Sequence, residues 1–274
     1  GILHRGIEKI AEKLTWVQFV PYTDKIDYVS SFHCNLAYAL AVESLGNIGV
    51  SDRAQAIRVI VCELARISNH LMFMALVSKS LGALNAMQLA LFDREQTLDL
   101  FEMLCGSRVM HSFIRVGGVV QDVTEGFLEK TFEFIDYLLP RLQEYNEQLT
   151  SSGIIAGRLR NLGEVSCAEA IEMGVTGVNL RATGLRVDIR KTSPYSGYEK
   201  YDFDIPVYNT ADLKSSLGDA LQRFYLRIKE IEQSIRILRQ VLARVPSGSV
   251  IVPLLRILKL PKGHSFSIVE GPRG

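Results

Sequence analysis

Polar side chains recur at helical spacing in the most apolar part of the chain. Glu63, Arg66 and His70 follow one another at intervals of three and four residues, so they share one face of a predicted helix. Such a face either lines a polar cavity or forms a satisfied network between helices. The pattern favours the buried network.

Tyr28 is a second candidate for chemistry. It follows the loop Pro21–Asp27 at the start of a predicted helix. Its phenol is neutral at pH 7 and both donates and accepts hydrogen bonds, so it can bind a ligand in a cavity. An ordinary half-buried tyrosine explains the same position, and spacing alone favours that simpler interpretation.

Two further charged groups have ordinary explanations. Residues 185–190 alternate between apolar and polar side chains, which predicts a strand. Basic residues surround this segment, and we expect them to form a solvated or subunit-facing surface. They are Arg181, Arg186, Arg190 and Lys191, with Asp188 among them. In the last predicted helix, Arg223, Arg227 and Glu230 have the spacing of a charged face with contacts between residues three and four positions apart, which explains them without any function.

The four cysteines are isolated from one another. Cys34, Cys62, Cys105 and Cys167 form no C-x-x-C pair, which argues against a zinc, iron–sulfur or nickel site held by this chain alone. We expect reduced core thiols and an intracellular compartment. The sequence has no hydrolase triad, P-loop or dinucleotide-binding glycine motif.

Composition limits the class of protein. The 274 residues are 47% hydrophobic and 22% charged, with a formal net charge of +1, so a globular core is expected and nucleic acid is not an expected partner. Polar residues interrupt the apolar stretch 57–77 and argue against a transmembrane helix; they are Arg58, Glu63, Arg66, Asn69 and His70. Both ends look cut, so we expect missing terminal segments.

Long helices must position these residues. Hydrophobic periodicity predicts helices over residues 7–20, 27–45, 51–78, 87–106, 124–149 and 213–245. We expect one mainly α domain over residues 1–274 with a small α+β part. It comprises a central helix bundle (1–150), a loop-rich α+β segment (151–212), and a long helix with a C-terminal extended segment (213–274).

Several stretches, in order along nearly the whole chain, resemble one known family. They are Leu3–Glu12, Pro21–Tyr28, Arg58–Val59, Glu63–Leu71, Leu81–Ala83, Phe92–Glu95, Ile114–Val119, Leu180–Gly184, Asp188–Lys191 with Pro194–Tyr195, Gly218–Asp219 with Arg223, Arg227 and Glu230, and Glu270–Gly274. The set is similar to the quinone-pocket (D-type) subunit of respiratory complex I, a family that shares its fold with the large subunit of nickel–iron hydrogenases.

The resemblance implies a peripheral-arm subunit of a proton-translocating NADH:quinone oxidoreductase. Quinone would be the substrate, while NAD and the iron–sulfur clusters would belong to partner subunits and this chain alone would bind none. The implied partners are the terminal [4Fe–4S] small subunit, a C-type peripheral subunit and membrane-arm subunits. The complex would lie on the cytoplasmic face of the inner or plasma membrane.

The resemblance also implies roles for particular residues. Tyr28 matches the family tyrosine that hydrogen-bonds the quinone head group and is the expected catalytic residue. The quinone-pocket candidates are Tyr28, Ser80, Leu81 and Met74. The residues expected to face the cluster subunit are Lys25, Met110, His111 and Arg115. The family's partner histidine has no counterpart within this sequence.

Departures from the family pattern leave alternatives open. No C-x-x-C pair follows the segment His4–Glu8, so hydrogen chemistry is not expected. Ser80 stands where many members have aspartate, and Met110 stands where many have histidine. A nickel-free subunit of a ferredoxin-linked or hydrogenase-like membrane complex, or a structural scaffold, would also explain the chain.

Overall fold

The computed structural model describes residue 2 and residues 4–151, 153–207, 215–254 and 258–274. Helices dominate these ranges. In chain order they are α1 (Ile7–Ala11), α2 (Trp16–Thr23), α3 (Ser31–Gly46), α4 (Asp52–Ser80), α5 (Leu84–Cys105), α6 (Phe127–Ser151), α7 (Gly153–Leu159), α8 (Cys167–Glu172), α9 (Gly177–Arg181), α10 (Ile189–Thr192) and α11 (Ala220–Leu242), with a 3₁₀ turn at Tyr198–Lys200.

Helix α4 is the centre of the fold. It begins where Ser51 caps it, since the Ser51 hydroxyl accepts from the Ala54 amide at 3.1 Å. Helices α3, α5 and α11 pack around it. By length and composition α4 could cross a membrane, but 83% of its most apolar stretch is buried inside this protein. It is therefore the core helix around which the other long helices assemble.

The predicted helix over residues 7–20 is two helices, α1 and α2. The break follows from Thr15, which forms a capping box with Gln18: the Thr15 hydroxyl accepts from the Gln18 amide at 3.3 Å, and the Thr15 amide donates to the Gln18 side chain at 3.1 Å. The second predicted helix begins at Ser31, four residues after its predicted start.

The last long helix is confirmed from Ala220 onward. The Asp219 carboxylate caps it by accepting from the Gln222 amide at 2.8 Å. The predicted start near Leu213 lies outside the described residues.

In the described ranges, the sheet consists of two short antiparallel strands, β1 (Ile114–Arg115) and β2 (Gly118–Val119). A later segment joins it, because the Val119 amide donates to the Val250 carbonyl at 2.9 Å. Gly118 permits this approach, since its φ is 152° and a Cβ there would lie 2.0 Å from the Val250 oxygen. The mainly helical class with a small β part is confirmed.

The predicted strand over 185–190 is wrong. Residues from Ile189 form the short helix α10, because the Asp188 carboxylate accepts from the Arg190 amide at 2.9 Å and caps it. The alternation of apolar and polar residues that suggested a strand does not match the burial, since Asp188 and Arg190 are buried while Val187 is 37% exposed.

Candidate functional site

The protein interior contains a network of buried charges centred on Glu63. Its carboxylate pairs with Arg190 at 3.1 Å and with Arg66 at 3.3 Å. The hydroxyls of Tyr198 and Ser234 each donate to it at 2.6 Å. Burial would raise the pKa of Glu63, but Arg190, Arg66 and the two hydroxyls together lower it to about 2. Glu63 is therefore ionised at neutral pH.

A second part of the network joins α4 to α9 and α11. Arg181 donates to Glu230 at 2.9 Å and to Glu270 at 2.9 Å. His70 Nε2 lies 2.8 Å from the Glu230 carboxylate. Burial lowers the pKa of His70 to about 4 despite that carboxylate, so at pH 7 the neutral ring donates its Nε2 proton to Glu230.

This network confirms one prediction and corrects two. Glu63, Arg66 and His70 do form a buried network between helices. The expectation that Arg181 and Arg190 lie on a surface is wrong, because each is almost wholly buried among carboxylates; Arg186 and Lys191 are exposed.

The contacts within one helix face predicted for Arg223, Arg227 and Glu230 are found only in part: Arg227 donates to the Arg223 carbonyl at 2.6 Å, whereas Glu230 bonds to other helices. Arg227 and Glu230 are buried, and Glu230 pairs with Arg181. The acids and arginines of the network balance one another and fill the space between helices, so its role is structural.

A different arrangement surrounds Tyr28, in the turn between α2 and α3. Its side chain is 59% exposed, and its hydroxyl has no hydrogen-bond partner within the ranges that the structure describes. Lys25, in the same turn, is exposed and donates to the Pro21 carbonyl at 3.0 Å. Tyr28 therefore presents a free phenol at the surface of this chain.

A cavity of about 450 Å³ opens beside this turn, between α2, α3 and the segment 269–274. Its size suits a small organic ligand. Ile26 and Asp27 line it, together with Ser30 and His33. The His33 Nδ1 and Ser30 Oγ atoms lie 2.7 Å apart. Burial and the nearby Arg66 hold the pKa of His33 well below its usual range, so a neutral histidine faces the cavity.

The segment Met110–Arg115 packs against the N-terminal end of α3. The His111 ring stacks on Phe32 with centroids 4.1 Å apart, and its Nδ1 lies 2.8 Å from the Ser31 hydroxyl. Burial lowers the pKa of His111 to about 4, and its Nε2 is buried without a partner. Met110 is 43% exposed.

Asp24 joins the turn to this segment. It is 1% exposed and accepts from the Asn35 amide at 2.8 Å and from the Ser112 backbone amide at 3.3 Å. Burial lowers the pKa of Arg115, an effect that Asp24 partly offsets. The structure thus brings together Lys25 and Tyr28 with the segment Met110–Arg115. Sequence reasoning missed Asp24, because it looked like an ordinary turn residue.

The remaining pocket candidates lie towards the end of α4. Met74 is buried, Leu81 packs against the core, and Ser80 is exposed with its hydroxyl donating to the Leu76 carbonyl at 3.0 Å. Ser80 lies about 21 Å further along the helix axis than Arg66, at the α-helical rise. In the described part of the chain no hydrogen bond or ring contact joins these three residues to Tyr28.

Among the described residues, no group of three or more His, Cys, Asp or Glu side chains is placed to hold a metal ion. The four cysteines are unpaired thiols. The fold and site therefore define a helical protein with a buried charged interior and an exposed tyrosine in the turn between α2 and α3.

Comparison with known proteins places this chain in a family. The sequence profile of the 49 kDa subunit of respiratory-chain NADH dehydrogenase matches residues 80–270. The D subunit of the NADH-quinone oxidoreductase of Desulforamulus reducens is 39% identical over 274 residues, and that of Carboxydothermus hydrogenoformans is 42% identical over 274 residues. Each alignment covers all of this chain and 73% of the relative.

A third relative, the D 1 subunit of the NADH-quinone oxidoreductase of Opitutus terrae, is 44% identical over 271 residues, which cover 98% of this chain and 62% of that protein. The chain belongs to the 49 kDa subunit family of respiratory-chain NADH dehydrogenases. That family has the hydrogenase large-subunit type of fold. The names of these relatives do not favour the hydrogenase-like or scaffold alternatives.

Proposed function

We propose that this chain is the D-type, peripheral-arm subunit of a proton-translocating NADH:quinone oxidoreductase and forms one wall of its quinone-reduction pocket. The relatives, which are D subunits of NADH-quinone oxidoreductases, support the assignment over the full length of the chain. The observation that carries the quinone site is Tyr28, which is exposed and whose hydroxyl has no partner in the described structure. Ile26, Asp27 and Ser30, close to Tyr28 in the chain, line a cavity of about 450 Å³.

The chemistry suits a tyrosine. Quinone reduction adds two electrons and two protons, and negative charge develops on the carbonyl oxygen. A hydrogen-bond donor aimed at that oxygen stabilises the charge. A phenol stays protonated at neutral pH and donates without first having to gain a proton. Ser80, Leu81 and Met74 would line the part of the pocket further from Tyr28.

The opposite part of the site would contact the small subunit that carries the terminal [4Fe–4S] cluster. Lys25, Met110, His111 and Arg115 are the residues proposed for this contact. Met110 is exposed, and His111 and Arg115 each hold a buried nitrogen without a hydrogen-bond partner. A partner chain would supply hydrogen-bond acceptors or donors for these two nitrogens.

The wider assembly follows from the same assignment. NAD and the iron–sulfur clusters would be held by partner subunits. A C-type peripheral subunit and the membrane-arm subunits would complete the complex at the cytoplasmic face of the membrane. Residues 1–274 would act as one domain, with the helices of residues 1–150 at its centre.

The test is Tyr28→Phe in the assembled complex, with Tyr201→Phe as the matched control. Tyr201 is partly buried, packs against the core and lies far along the chain from the turn. We expect Tyr28→Phe to lower NADH:quinone reductase turnover at least tenfold, because the donor is lost. NADH oxidation by a water-soluble artificial acceptor should not change. Equal quinone turnover in wild type and Tyr28→Phe would contradict the proposal.

A further inference from the structure

Asp24 is a buried carboxylate held by hydrogen bonds from two other parts of the chain. Asn35, on α3, donates to Oδ1 at 2.8 Å. Ser112, which lies 88 residues further along the chain, donates to the same oxygen through its backbone amide at 3.3 Å and to Oδ2 through its hydroxyl. Asp24 itself ends α2. One side chain therefore connects α2, α3 and the segment before β1.

The segment that Asp24 holds has an unusual backbone. Met110 and Ser112 have φ values of 60° and 45°, in the left-handed region that residues with a Cβ rarely adopt. Such a conformation persists only where surrounding contacts impose it. His111, between them, is fixed by Phe32 and Ser31, and Ser112 is fixed by Asp24.

No Lys, Arg or His nitrogen lies within ion-pair distance of Asp24 in the described residues. Its oxygens accept the hydrogen bonds from Asn35 and Ser112, and it raises the pKa of the more distant Arg115 against the effect of burial. Hydrogen bonds to an ionised acceptor are stronger and shorter than neutral ones. The carboxylate is therefore suited to hold neighbouring backbone segments in one geometry.

We propose that Asp24 is a positioning residue that sets the distance between the Tyr28 turn and the segment Met110–Arg115. The proposal rests on the proposed function, since it links the residues assigned to quinone with those assigned to the cluster subunit. Asp24 lies four residues before Tyr28 and bonds directly to Ser112, so its loss releases both sides at once.

The experiment compares Asp24→Ala with Asp24→Asn in the assembled complex. Alanine removes the acceptor of both Ser112 donors and of one Asn35 amide proton, while Asn35 keeps its hydrogen bond to the Thr23 hydroxyl at 2.8 Å. We expect the KM for a short-chain quinone to rise about tenfold, or ~1.4 kcal/mol. Asparagine can accept from Asn35 and donate to the Ser112 hydroxyl, so it should restore the KM to within about twofold of wild type. The electron paramagnetic resonance signal of the cluster nearest the quinone should shift in Asp24→Ala alone.

Asp93→Ala is the matched control. Asp93 is as buried as Asp24 and accepts from the hydroxyls of Tyr137 at 2.8 Å and Tyr145 at 2.5 Å, between α5 and α6. Its loss should lower the thermal stability of the complex without changing the quinone KM or the cluster signal. Ser112→Ala tests the same contact more gently, and we expect a KM rise of about threefold, since one hydrogen bond is lost.

An unchanged quinone KM in both Asp24→Ala and Ser112→Ala, with only stability reduced as in Asp93→Ala, would overturn the positioning role. That result is distinct from failure of the proposed function, in which Tyr28→Phe leaves quinone turnover unchanged. A shifted cluster signal in Asp24→Ala beside an unaffected Tyr28→Phe would keep the positioning role and refute the tyrosine donor.

Discussion

Replacement of Glu63 by glutamine should destabilise the protein in a way that depends on pH. The carboxylate is fully buried against Arg190 and Arg66, and its pKa is lowered from an ordinary 4.5 to about 2. That difference corresponds to ~3 kcal/mol of stability at neutral pH. Removing one partner of a buried ion pair typically lowers the free energy of unfolding by about 3–5 kcal/mol, which agrees with the value from the pKa.

The sign of the pH dependence follows from the lowered pKa. The contribution of Glu63 is fully present above pH 4.5, where the unfolded carboxyl is ionised, and it is lost as pH falls towards 2. Between pH 7 and pH 3.5 the wild type should therefore lose ~1.4 kcal/mol through this group. Glu63→Gln has no carboxylate at this position and cannot lose this contribution. The difference in free energy of unfolding between wild type and Glu63→Gln should therefore become smaller by ~1.4 kcal/mol between pH 7 and pH 3.5.

Urea unfolding followed by circular dichroism of the helices, at pH 7, 5 and 3.5, measures the gap. Glu12→Gln is the control, because Glu12 pairs with Lys9 on the exposed surface, where ion pairs contribute little, and it should behave as wild type. A gap that stays constant from pH 7 to 3.5, or a Glu63→Gln protein as stable as wild type at pH 7, would refute the account of the network.

Two further substitutions test the fold. Gly118→Ala should prevent the segment at Val250 from joining the small sheet, because the new Cβ would lie 2.0 Å from the Val250 oxygen. Limited proteolysis should then cut the chain near residue 250 sooner than in wild type. The control is Gly49→Ala, whose new Cβ meets nothing within 4 Å and should leave the digest unchanged. Asp219→Ala removes the N-cap of α11 and should lower the free energy of unfolding by about 1–2 kcal/mol, and a thermal midpoint equal to that of wild type would contradict this.

The long helices could be predicted because their signals are local. Apolar residues at helical spacing and a capping serine at position 51 mark α4 to within two residues of its ends. The buried face of Glu63, Arg66 and His70 could also be predicted, because three polar groups at that spacing in an apolar run have to meet partners.

The partners of that face could not be predicted, since they are distant in sequence. Arg190 pairs with Glu63 across 127 residues and Arg181 with Glu270 across 89. A local interpretation of two arginines in a polar segment therefore suggested a surface. The alternation at residues 185–190 suggested a strand, but capping by Asp188 begins a short helix at Ile189.

Tyr28 entered through family resemblance and not through its spacing, which indicated an ordinary tyrosine. Its surface position explains why. A residue that completes its hydrogen bonds only with a ligand or another chain leaves no pattern of internal contacts in its own sequence. Asp24 was missed for the opposite reason, because its partners are internal but Ser112 lies 88 residues away.

Buried polar atoms without a hydrogen-bond partner occur both in the charged interior and at the proposed site. Around Glu63 each carboxylate meets arginines or hydroxyl donors, although Arg66 Nη1 and His70 Nδ1 have no hydrogen-bond partner there. At the proposed site the Tyr28 hydroxyl, His111 Nε2 and Arg115 Nε have no hydrogen-bond partners among the described residues. Leaving such groups unpaired inside a finished assembly would cost stability. Under the proposed function, another chain or the substrate would supply partners for these groups, and Asp24 would hold the surface in the geometry that receives it.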